Sequence, residues 1–575
     1  MSLISCNLNF FTGNPEKSFD NFKKPYTYKV TYLHWGKAVP ALHPQAFAAG
    51  ISADAAQKRG EMYSTVISGG LRGIYSYLVQ VEVDTAQGLP GFEMVGYLGS
   101  EVKEAKERVR VALKNAGFAI PAERITVNIS PADIPKEGTA YDLPVAVAIL
   151  SSMEIVPREA LTDLLMIGEL GLNGELRPVR GVLPVVREAK AAGFKSCIVP
   201  KENEKEGAVV EGIDVYGLGC LQEVADFLRK YKEPPFEPAR VDLEKIFLQQ
   251  EERGPDFADI QGQKEVRRAA EIAAAGFHHL LMIGPPGSGK TMIAKRIPSI
   301  LPPMSLEESL EVSTIYSVAG LLKEKQSLVC KRPFLSPHHT ISEHALAGGG
   351  KIPRPGVLSL SHRGVLFLDE LTEFKRATLE ILRQPIEDKE VQIARSSGTF
   401  TYPASCLIVG AMNPCPCGYY PDRNHCSCSP WEIDRYLHKI SGPVLDRMDI
   451  VTEAKKVDIA ELGSENAAES SAEISERIMR ARRMQQKRFQ GTGLSFNADM
   501  GPAQVRKYCL LGADEQQMMM QLFSSMNLSA RAYHKIIKVA RTIADLEESE
   551  KIERRHLAEA ACYRRTDSKY WGRHR

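Results

Sequence analysis

One octapeptide constrains the fold of this chain more than any other feature. Residues 284–291 read G-P-P-G-S-G-K-T, and they directly follow the apolar run L-L-M-I at 280–283. The pattern matches G-x-x-x-x-G-K-[ST], in which a buried strand leads through a glycine-rich loop into a helix. We therefore predict an α/β domain with a helix that starts near Lys290. A chance glycine turn before a helix is the alternative interpretation.

The residue types of the octapeptide suit the phosphates of a nucleotide bound with Mg²⁺. Glycines allow backbone N–H groups to close around phosphate oxygens, and the start of the next helix adds the positive end of its dipole. Lys290 would bring a positive charge to the β- and γ-phosphates, and Thr291 a hydroxyl to Mg²⁺. The predicted phosphate-binding residues are Gly284, Pro285, Pro286, Gly287, Ser288, Gly289, Lys290 and Thr291.

A second motif supports the first. Residues 364–370 read G-V-L-F-L-D-E, an apolar strand that ends in two carboxylates. We predict that Asp369 holds Mg²⁺ through water and that Glu370 polarises the attacking water. Acidic pairs at strand ends also cap the helix that follows, which is the alternative for this pair. Together the two motifs predict hydrolysis of a nucleoside triphosphate with Mg²⁺ as cofactor.

Composition limits the remaining possibilities. A length of 575 residues suits three or four domains, and 43% hydrophobic with 25% charged residues is ordinary for a globular protein. The formal net charge of +2 means that nucleic-acid binding would have to come from local patches. No apolar stretch is long enough to span a bilayer, and no export signal is recognisable, so we expect a cytoplasmic protein without disulfides or a membrane partner.

The pattern along the chain predicts a multidomain α/β protein in five segments. Residues 1–61 lack periodicity, so we expect an extension outside the folded part, with Met62 as the native start; a genuine lineage-specific extension is the alternative. The run E-P-P-F-E-P at 233–238 cannot continue a helix and predicts a linker. The expected order is the extension at 1–61, an α/β domain at 62–232, the linker at 233–256, the nucleotide-binding domain at 257–456 and a helical domain at 457–575.

Three further segments resemble those of AAA+ ATPases. Residues 406–413 form an apolar strand that ends in Asn413, which would orient water against the γ-phosphate. The run S-G-P-V-L-D-R-M-D at 441–449 resembles the arginine-finger segment of Mg-chelatase-type and MCM-type ATPases, and it implies that role for Arg447. The run L-S-A-R opens a helix at the place where related ATPases keep a second sensor arginine, here Arg531.

The spacing between the two nucleotide motifs adds a fourth resemblance. The chain from Lys290 to Asp369 is longer than one helix and one strand require, and the excess resembles the helix-2 insertion of this AAA+ branch. Residues 382–403 resemble the hairpin that precedes the first sensor. In ring-shaped relatives both elements face the central pore, so the resemblance implies DNA-phosphate contacts there. The candidate residues are Lys351, Arg354, Lys389 and Arg395.

From Met62 onward the chain resembles the ComM/YifB family, which is also described as Mg chelatase-like. The phrases that carry the resemblance are T-A-Q-G-L-P-G-F-E-M-V-G, N-P-C-P-C-G-Y-Y, S-G-P-V-L-D-R-M-D and L-S-A-R-A-Y-H. The resemblance implies a hexameric, ATP-driven DNA translocase that acts on single-stranded or branched DNA, with branch migration in recombination and natural transformation as its role. A protein-remodelling AAA+ ATPase and the ATPase subunit of a Mg-chelatase acting on a porphyrin are the alternatives.

The N-terminal domain resembles the fold of the Lon protease domain. The loop I-P-K-E-G-T-A-Y-D at 134–142 parallels the loop that carries the protease serine, but Ala140 takes the place of the nucleophile. The segment P-V-R-G-V-L-P-V at 178–185 lacks the partner lysine. Acyl transfer needs a nucleophile and a base in contact, so we expect no protease activity. A scaffold role is expected by analogy alone.

Four cysteines suggest a structural metal site. Cys415, Cys417, Cys426 and Cys428 are spaced as C-x-C, eight residues, C-x-C. Four thiolates make a closed tetrahedral Zn²⁺ site. The intervening residues 418–425 are too polar to hold the loop by packing, so a metal would order it. His425 could replace one thiolate, and four reduced cysteines in a flexible loop are the alternative.

Overall fold

The computed structural model describes residues 63–571 except 121, 249–253, 323–326, 351, 396–397 and 457–467. The predicted extension at 1–61 and the candidate residue Lys351 therefore lie outside the described residues. Within the ranges that are described, none of the helices has both the length and the apolar character that a bilayer span requires.

The N-terminal region is built on one mixed sheet with strand order β3-β4-β2-β1-β5-β8-β9. Its strands are β1 (Tyr63–Arg72), β2 (Tyr75–Ala86), β3 (Gly91–Val95), β4 (Arg124–Ser130), β5 (Leu164–Met166), β8 (Ser196–Pro200) and β9 (Asp214–Leu218), and a separate small hairpin pairs β6 (Glu169–Leu170) with β7 (Leu176–Arg177). Its helices are α1 (Ser100–Asn115), α2 (Asp142–Ser152), α3 (Val182–Ala191), α4 (Glu204–Gly207) and α5 (Leu221–Arg229).

Hydrophobic patterning explains this region. In β2, Val79, Val81 and Val83 are buried and alternate with more exposed side chains, as expected for a strand with one face on a core. Helix α2 is buried along its whole length, which matches its nearly uninterrupted apolar sequence. The α/β fold predicted for this region is confirmed.

A short helix, α6 (Leu243–Leu248), interrupts the predicted linker. The preceding helix, α5, ends at Arg229, before the proline-rich run at 233–238, which agrees with the prediction that this run cannot continue a helix. Helix α6 begins after the run. The linker prediction was thus incomplete, because it did not foresee that the residues after the prolines would form a helical turn.

The nucleotide-binding region contains a five-stranded sheet with strand order β11-β14-β17-β10-β18, and every neighbouring pair is parallel. The sheet strands and flanking helices are α7 (Lys264–Gly276), β10 (Leu280–Ile283), α8 (Lys290–Ile300), α9 (Leu306–Ala319), β11 (Phe334–Leu335), β14 (Val365–Leu368), β17 (Leu407–Met412) and β18 (Ile450–Glu453). Because the strands are parallel, the loops after β10, β14 and β17 meet at one edge of the sheet.

Two small hairpins project from this region. The inserted segments are α10 (Glu343–Ala347), β12 (Gly348–Gly349), β13 (Arg354–Pro355), α11 (Val357–Leu360), α12 (Arg376–Ile381), α13 (Arg383–Asp388), β15 (Glu390–Arg395), β16 (Gly398–Pro403), α14 (Pro430–Leu437) and α15 (Gly442–Leu445). The sequence placed the start of the second hairpin at 382, which was wrong. Residues 383–388 are helical, since Pro385 is tolerated in a first helical turn and Lys389 ends the helix in a left-handed conformation (φ 59°).

The C-terminal part is helical, as predicted. Its helices are α16 (Ser471–Phe489), α17 (Pro502–Tyr508), α18 (Ala513–Ser525), α19 (Ala530–Leu546) and α20 (Arg554–Trp571). A buried ion pair joins α19 to the nucleotide-binding region, because Lys535 Nζ lies 2.8 Å from Asp449 Oδ1. Burial alone would raise the pKa of Asp449, but the charge of Lys535 holds that pKa well below its usual range. This pair holds α19 against the segment that leads into β18.

The N-terminal region contacts the nucleotide-binding region through α9. Ser317 on α9 donates its hydroxyl hydrogen bond to the Glu206 carboxylate, and its carbonyl accepts a 3.2 Å bond from the Gly181 N–H. The Glu206 carboxylate is buried and also accepts the N–H of Leu183 at 3.0 Å. Two regions that share buried polar partners of this kind are expected to move together.

Candidate functional site

The loop after β10 has a backbone that only glycine fits easily. Gly287 and Gly289 adopt φ values of +76° and +81°, in the left-handed region where a side chain is strained. At Gly284 a Cβ atom would lie 2.2 Å from the Ala454 carbonyl oxygen, closer than any real contact. These glycines therefore permit a narrow loop, the kind of backbone that can bring N–H groups close to an anion.

Lys290, the first residue of α8, is buried at the mouth of this loop. Its ammonium donates to the carbonyl oxygens of Gly284 (2.8 Å) and Pro285 (2.9 Å), and it lies 3.4 Å from Asn413 Oδ1. Burial lowers the pKa of Lys290 to about 8. The structure thus brings Lys290 and Asn413 together at the ends of β10 and β17, as the sequence motifs required.

The two predicted magnesium-binding side chains touch each other. Thr291 Oγ1 donates to Asp369 Oδ2 at 2.8 Å, and Asp369 Oδ1 accepts the N–H of Glu370 at 3.0 Å. A hydroxyl and a carboxylate oxygen at this separation are the ligand types that Mg²⁺ prefers. The residues present therefore fit Mg²⁺ bound together with a nucleotide.

Glu370 is more exposed than the neighbouring Asp369. Its backbone is left-handed (φ 50°), and its side chain is 63% exposed. The carboxylate lies 3.5 Å from His339 Nδ1, in the L-S-P-H-H-T segment that follows β11. It is therefore free to reach a water molecule, while one side of it is bounded by the histidine.

A cavity of about 560 Å³ opens over these groups. Lys290, Asp369, Glu370 and Asn413 form one wall, and α14 forms the opposite wall. A volume of this size suits a nucleotide-sized ligand. The residues of α14 that line it are Trp431, Glu432, Arg435 and Tyr436.

Sequence reasoning did not foresee the α14 wall. The run S-P-W-E at 429–432 forms a capping box, in which Ser429 Oγ accepts the N–H of Glu432. That pattern signals a helix start, but not where the helix lies in the fold. On the helix, the Arg435 guanidinium lies 5.2 Å from the centre of the Trp431 ring, so an aromatic group and a cation face the cavity together.

The two predicted arginines do not line the cavity. Arg447 is buried, and its Nη2 lies 2.8 Å from Glu387 Oε1. Arg531 lies at the start of α19, and its Nη2 is 2.7 Å from the same oxygen. The structure therefore brings both predicted arginines to one carboxylate, which the sequence analysis did not foresee.

Two of the candidate DNA-contacting residues lie at adjacent hairpins. Arg354 is exposed in β13, where it pairs with Gly349 of β12. Arg395 ends β15, and its Nε donates to the Gly350 carbonyl oxygen at 3.3 Å. The two hairpins thus meet, with one exposed arginine on each.

Lys389 does not belong to this group. Its ammonium forms an ion pair with the buried carboxylate of Asp499, in the helical region. The lysine is thus committed to a partner within the chain, and the interpretation of Lys389 as a DNA contact loses its geometric support. The pairing was invisible in the sequence because the partner lies far along the chain.

The four cysteines converge on one point. Their Sγ atoms all lie within 4.8 Å of one another, and Cys415 Sγ is 3.3 Å from Cys417 Sγ and 3.8 Å from Cys426 Sγ. A tetrahedral site with Zn–S bonds of about 2.3 Å requires sulfurs about 3.8 Å apart, so the thiols fit zinc. His425 is exposed and paired with Asp422 at 2.7 Å, which leaves the four thiolates as the donor set.

The cysteine loop covers the phosphate-binding loop. A Cβ atom at Gly418 (φ +88°) would lie 2.6 Å from Pro286 Cδ. The backbone of one loop therefore touches the proline ring of the other. Any ligand that orders the cysteine loop would restrict the phosphate loop beneath it.

The Lon-like loop presents no nucleophile at the position where a protease carries its serine. The Ala140 carbonyl oxygen accepts the N–H of Gly168 at 3.0 Å, and the neighbouring Thr139 hydroxyl donates to the Glu169 carboxylate. Lys136, the lysine of this loop, is buried and donates to the Ile134 carbonyl oxygen at 2.9 Å. These contacts hold the loop in shape and occupy its polar groups.

Comparison with known proteins agrees with the motifs. Family models match over most of the described chain: "Magnesium chelatase, subunit ChlI" at 256–462, "Subunit ChlI of Mg-chelatase" at 81–203, and "Magnesium chelatase, subunit ChlI C-terminal" at 468–564. YifB of Escherichia coli is 42% identical over 496 residues, which cover 86% of this chain and 96% of YifB. "Competence protein ComM" of Haemophilus influenzae is 40% identical over 502 residues, which cover 87% and 97%. A Lon protease of Mycolicibacterium smegmatis is 27% identical over 173 residues, 29% of this chain and 22% of that protease.

Proposed function

The chain belongs to the ComM/YifB family of Mg-chelatase-like AAA+ ATPases, and we propose that it is an ATP-driven ring motor that translocates on DNA. The observation that carries the proposal is the set of hydrogen bonds at the ends of the parallel strands. Lys290 there approaches Asn413, and Thr291 bonds Asp369. These are the groups that bind the phosphates and Mg²⁺ of ATP and place water beside them, and they are assembled within one chain.

Each group has a role that its contacts support. Lys290 would transfer its hydrogen bonds from loop carbonyls to the β- and γ-phosphates, since a phosphate is a stronger acceptor for an ammonium than a carbonyl. Thr291 and Asp369 would hold Mg²⁺, which neutralises phosphate charge when it is bound. Glu370 would orient the attacking water, because its carboxylate is exposed at the cavity. Asn413 would hold that water against the γ-phosphate.

The proposed ring explains where the arginines lie. Arg447 and Arg531 are absent from the lining of their own subunit's cavity and share one carboxylate elsewhere. In the proposal they act on the nucleotide of the neighbouring subunit in a hexamer. An arginine supplied in this way stabilises the charge that develops on the transferred phosphoryl group.

DNA would pass over the two hairpins. Arg354 and Arg395 are proposed to contact its phosphates, which carries affinity without base specificity. Branch migration is the proposed task, since it needs movement along DNA of any sequence, and the Haemophilus influenzae relative is named a competence protein. A cytoplasmic location, where DNA and ATP are both present, is part of the proposal.

The remaining assignments complete the architecture. We assign 62–232 to a Lon-like scaffold domain without a protease dyad, 233–256 to a linker, 257–456 to the AAA+ core and 457–575 to the helical lid. Zn²⁺ held by the four cysteines would order the loop that covers Pro286. The metal would then act as a structural cross-link and take no part in hydrolysis.

The proposal is tested by the steady-state ATPase rate of the full chain with and without DNA. Single-stranded and four-way-junction DNA should each raise the rate of the wild type, and Glu370→Gln should abolish the rate under both conditions. An ATPase that responds to an unfolded protein substrate but not to DNA would instead support a protein-remodelling motor. A DNA-independent rate that no substrate changes would contradict both.

A further inference from the structure

One carboxylate holds both of the arginines that are proposed to act between subunits. Glu387 Oε1 lies 2.8 Å from Nη2 of Arg447 and 2.7 Å from Nη2 of Arg531. The three residues come from different parts of the chain: Glu387 from α13, Arg447 from the segment after α15, and Arg531 from the first turn of α19. Two positive charges therefore share one negative charge.

The hydrogen-bonding groups of Arg447 are satisfied inside its own subunit. Its Nε donates to the Arg383 carbonyl oxygen at 3.1 Å and its Nη1 to the Pro443 carbonyl oxygen at 2.7 Å, while Nη2 contacts Glu387. The side chain is only 8% exposed. To reach a phosphate on another subunit, this guanidinium must leave the carboxylate.

Arg531 is more exposed than Arg447, and its position at a helix N-terminus makes a neighbouring negative charge important. Its side chain is 51% exposed and contacts Glu387 at the N-terminal end of α19. A cation in the first turn of a helix is repelled by the positive end of the helix dipole, so a neighbouring carboxylate stabilises it there. Loss of the Glu387 charge would therefore free Arg531 as well as Arg447.

Glu387 also lies directly before one of the hairpins that are proposed to contact DNA. Helix α13 ends at Asp388, Lys389 turns the chain in a left-handed conformation, and β15 begins at Glu390. Since Lys389 is anchored to Asp499, a displacement of the hairpin would rotate α13 about this point. The carboxylate is thus placed where a movement of the hairpin changes its distance to both arginines.

We propose that Glu387 is a positioning residue that holds Arg447 and Arg531 back until the nucleotide of a neighbouring copy and DNA at the hairpin together draw them away. This inference rests on the proposed function, in which both arginines act on the neighbour's triphosphate. A γ-phosphate offers more charge and more acceptor oxygens than one carboxylate, so it can displace Glu387 from two guanidinium groups. Glu387 thereby limits hydrolysis in rings that carry no DNA.

The test compares Glu387→Gln with Asp388→Asn in the full chain. The first variant keeps the shape of the side chain and removes its charge; the second removes a charge from the next residue, which is exposed on the same helix. Glu387→Gln should raise the DNA-free ATPase rate by about three- to tenfold, as expected from two partly exposed ion pairs. It should lower the factor by which DNA stimulates the rate, and Asp388→Asn should change neither.

A double-mutant cycle separates restraint of Arg447 from a merely structural role. In an Arg447→Ala background, Glu387→Gln should leave the DNA-free rate within about twofold, because the release of Arg531 alone does not supply the missing arginine finger. A structural role of Glu387 would change the rate in both backgrounds. Thermal unfolding should show that Glu387→Gln and Asp388→Asn both stay folded at the assay temperature, although Glu387→Gln should melt lower because the buried Arg447 loses its carboxylate partner. The DNA-free ATPase rate of Glu387→Asp, which keeps the charge on a shorter side chain, should fall between the rates of wild type and Glu387→Gln.

Three outcomes overturn the inference: a DNA-free rate of Glu387→Gln equal to that of Asp388→Asn, a fall in that rate, or an equal change in the Arg447→Ala background. The proposed function is judged separately, by the DNA response of the wild type. If the wild type hydrolyses ATP without any DNA response, DNA translocation fails, while the DNA-free comparison of the two variants still decides whether Glu387 restrains the arginines.

Discussion

The phosphate site and the arginine cluster of this protein differ in what each still requires. Lys290, Thr291 and Asp369 already contact their expected neighbours within one chain, so that site needs only a ligand. Arg447 and Arg531 are bound to Glu387 instead, away from the cavity. The groups of the phosphate site already line the cavity and exchange hydrogen-bond partners only locally, whereas the two arginines must leave an ion pair outside the cavity before they can act. This difference separates nucleotide binding, which one subunit can perform, from hydrolysis, which is proposed to need two.

The largest expected effect is at Arg447. Arg447→Ala should lower kcat by about 10³-fold or more, since a trans-acting arginine contributes about 10³–10⁵ to phosphoryl transfer. Nucleotide affinity should change little, because Arg447 does not line its own cavity.

Rings that mix two inactive variants test whether Arg447 acts across subunits. Rings assembled from Arg447→Ala and Lys290→Ala subunits should regain part of the ATPase rate, because some interfaces combine an intact phosphate site with an intact arginine. If mixed rings, verified by mass, stay as inactive as either variant alone, Arg447 does not act across subunits.

Variants of Glu370 and Lys290 should affect ATP hydrolysis and ATP binding differently. Glu370→Gln should bind ATP within about twofold of wild type but hydrolyse it about 10²- to 10⁴-fold more slowly, because it loses only the group that polarises water. Lys290→Ala should instead weaken ATP binding by about tenfold or more, since its buried ammonium is lost. Equilibrium titration with a fluorescent ATP analogue and single-turnover rates measure both quantities. Unchanged affinity of Lys290→Ala would undermine the assignment of the loop.

Removal of the cysteine site should have a smaller effect on turnover. Elemental analysis should give about one zinc per chain, which the pair Cys415→Ser and Cys417→Ser should abolish. Cys562→Ser, an exposed cysteine outside the cluster, is the matched control and should keep the metal. The ATPase rate should fall by several-fold in the zinc-free variant, because Gly418 would no longer hold Pro286 in place. A metal-free wild type with full activity would refute the zinc site.

The smallest effect should come from the hairpin arginines. Replacing Arg354 and Arg395 with Ala should reduce the slope of log affinity against log salt by about 1.4 for single-stranded DNA, since each phosphate that an arginine neutralises adds about 0.7 to that slope. The DNA-free ATPase rate should stay unchanged, as it should in the control Lys195→Ala, whose exposed side chain pairs with Asp163 far along the chain from the hairpins. An equal fall in the DNA-free and DNA-stimulated rates would show that the two arginines are structural.

The contrast between the phosphate site and the arginine cluster also explains which features the sequence could predict. Strand patterns and the motifs around Lys290 and Asp369 are local, because their chemistry is set by residues next to each other along the chain. The partner of Arg447 is not local: Glu387 lies in the run R-Q-P-I-E-D, which reads as an ordinary polar helix turn. The ion pair of Lys389 with Asp499 was missed for the same reason. Contacts between distant segments depend on how elements pack, and no spacing rule encodes them.

The central claim, ATP-driven movement on DNA, is tested most directly by branch migration of a synthetic four-way junction with one mobile arm and a fluorophore–quencher pair at its end. The account predicts that the wild-type chain with ATP and Mg²⁺ resolves the junction into two duplexes, and that Glu370→Gln, which still binds ATP, leaves it intact. A wild-type chain that hydrolyses ATP at full rate while the junction stays unmoved would contradict the account.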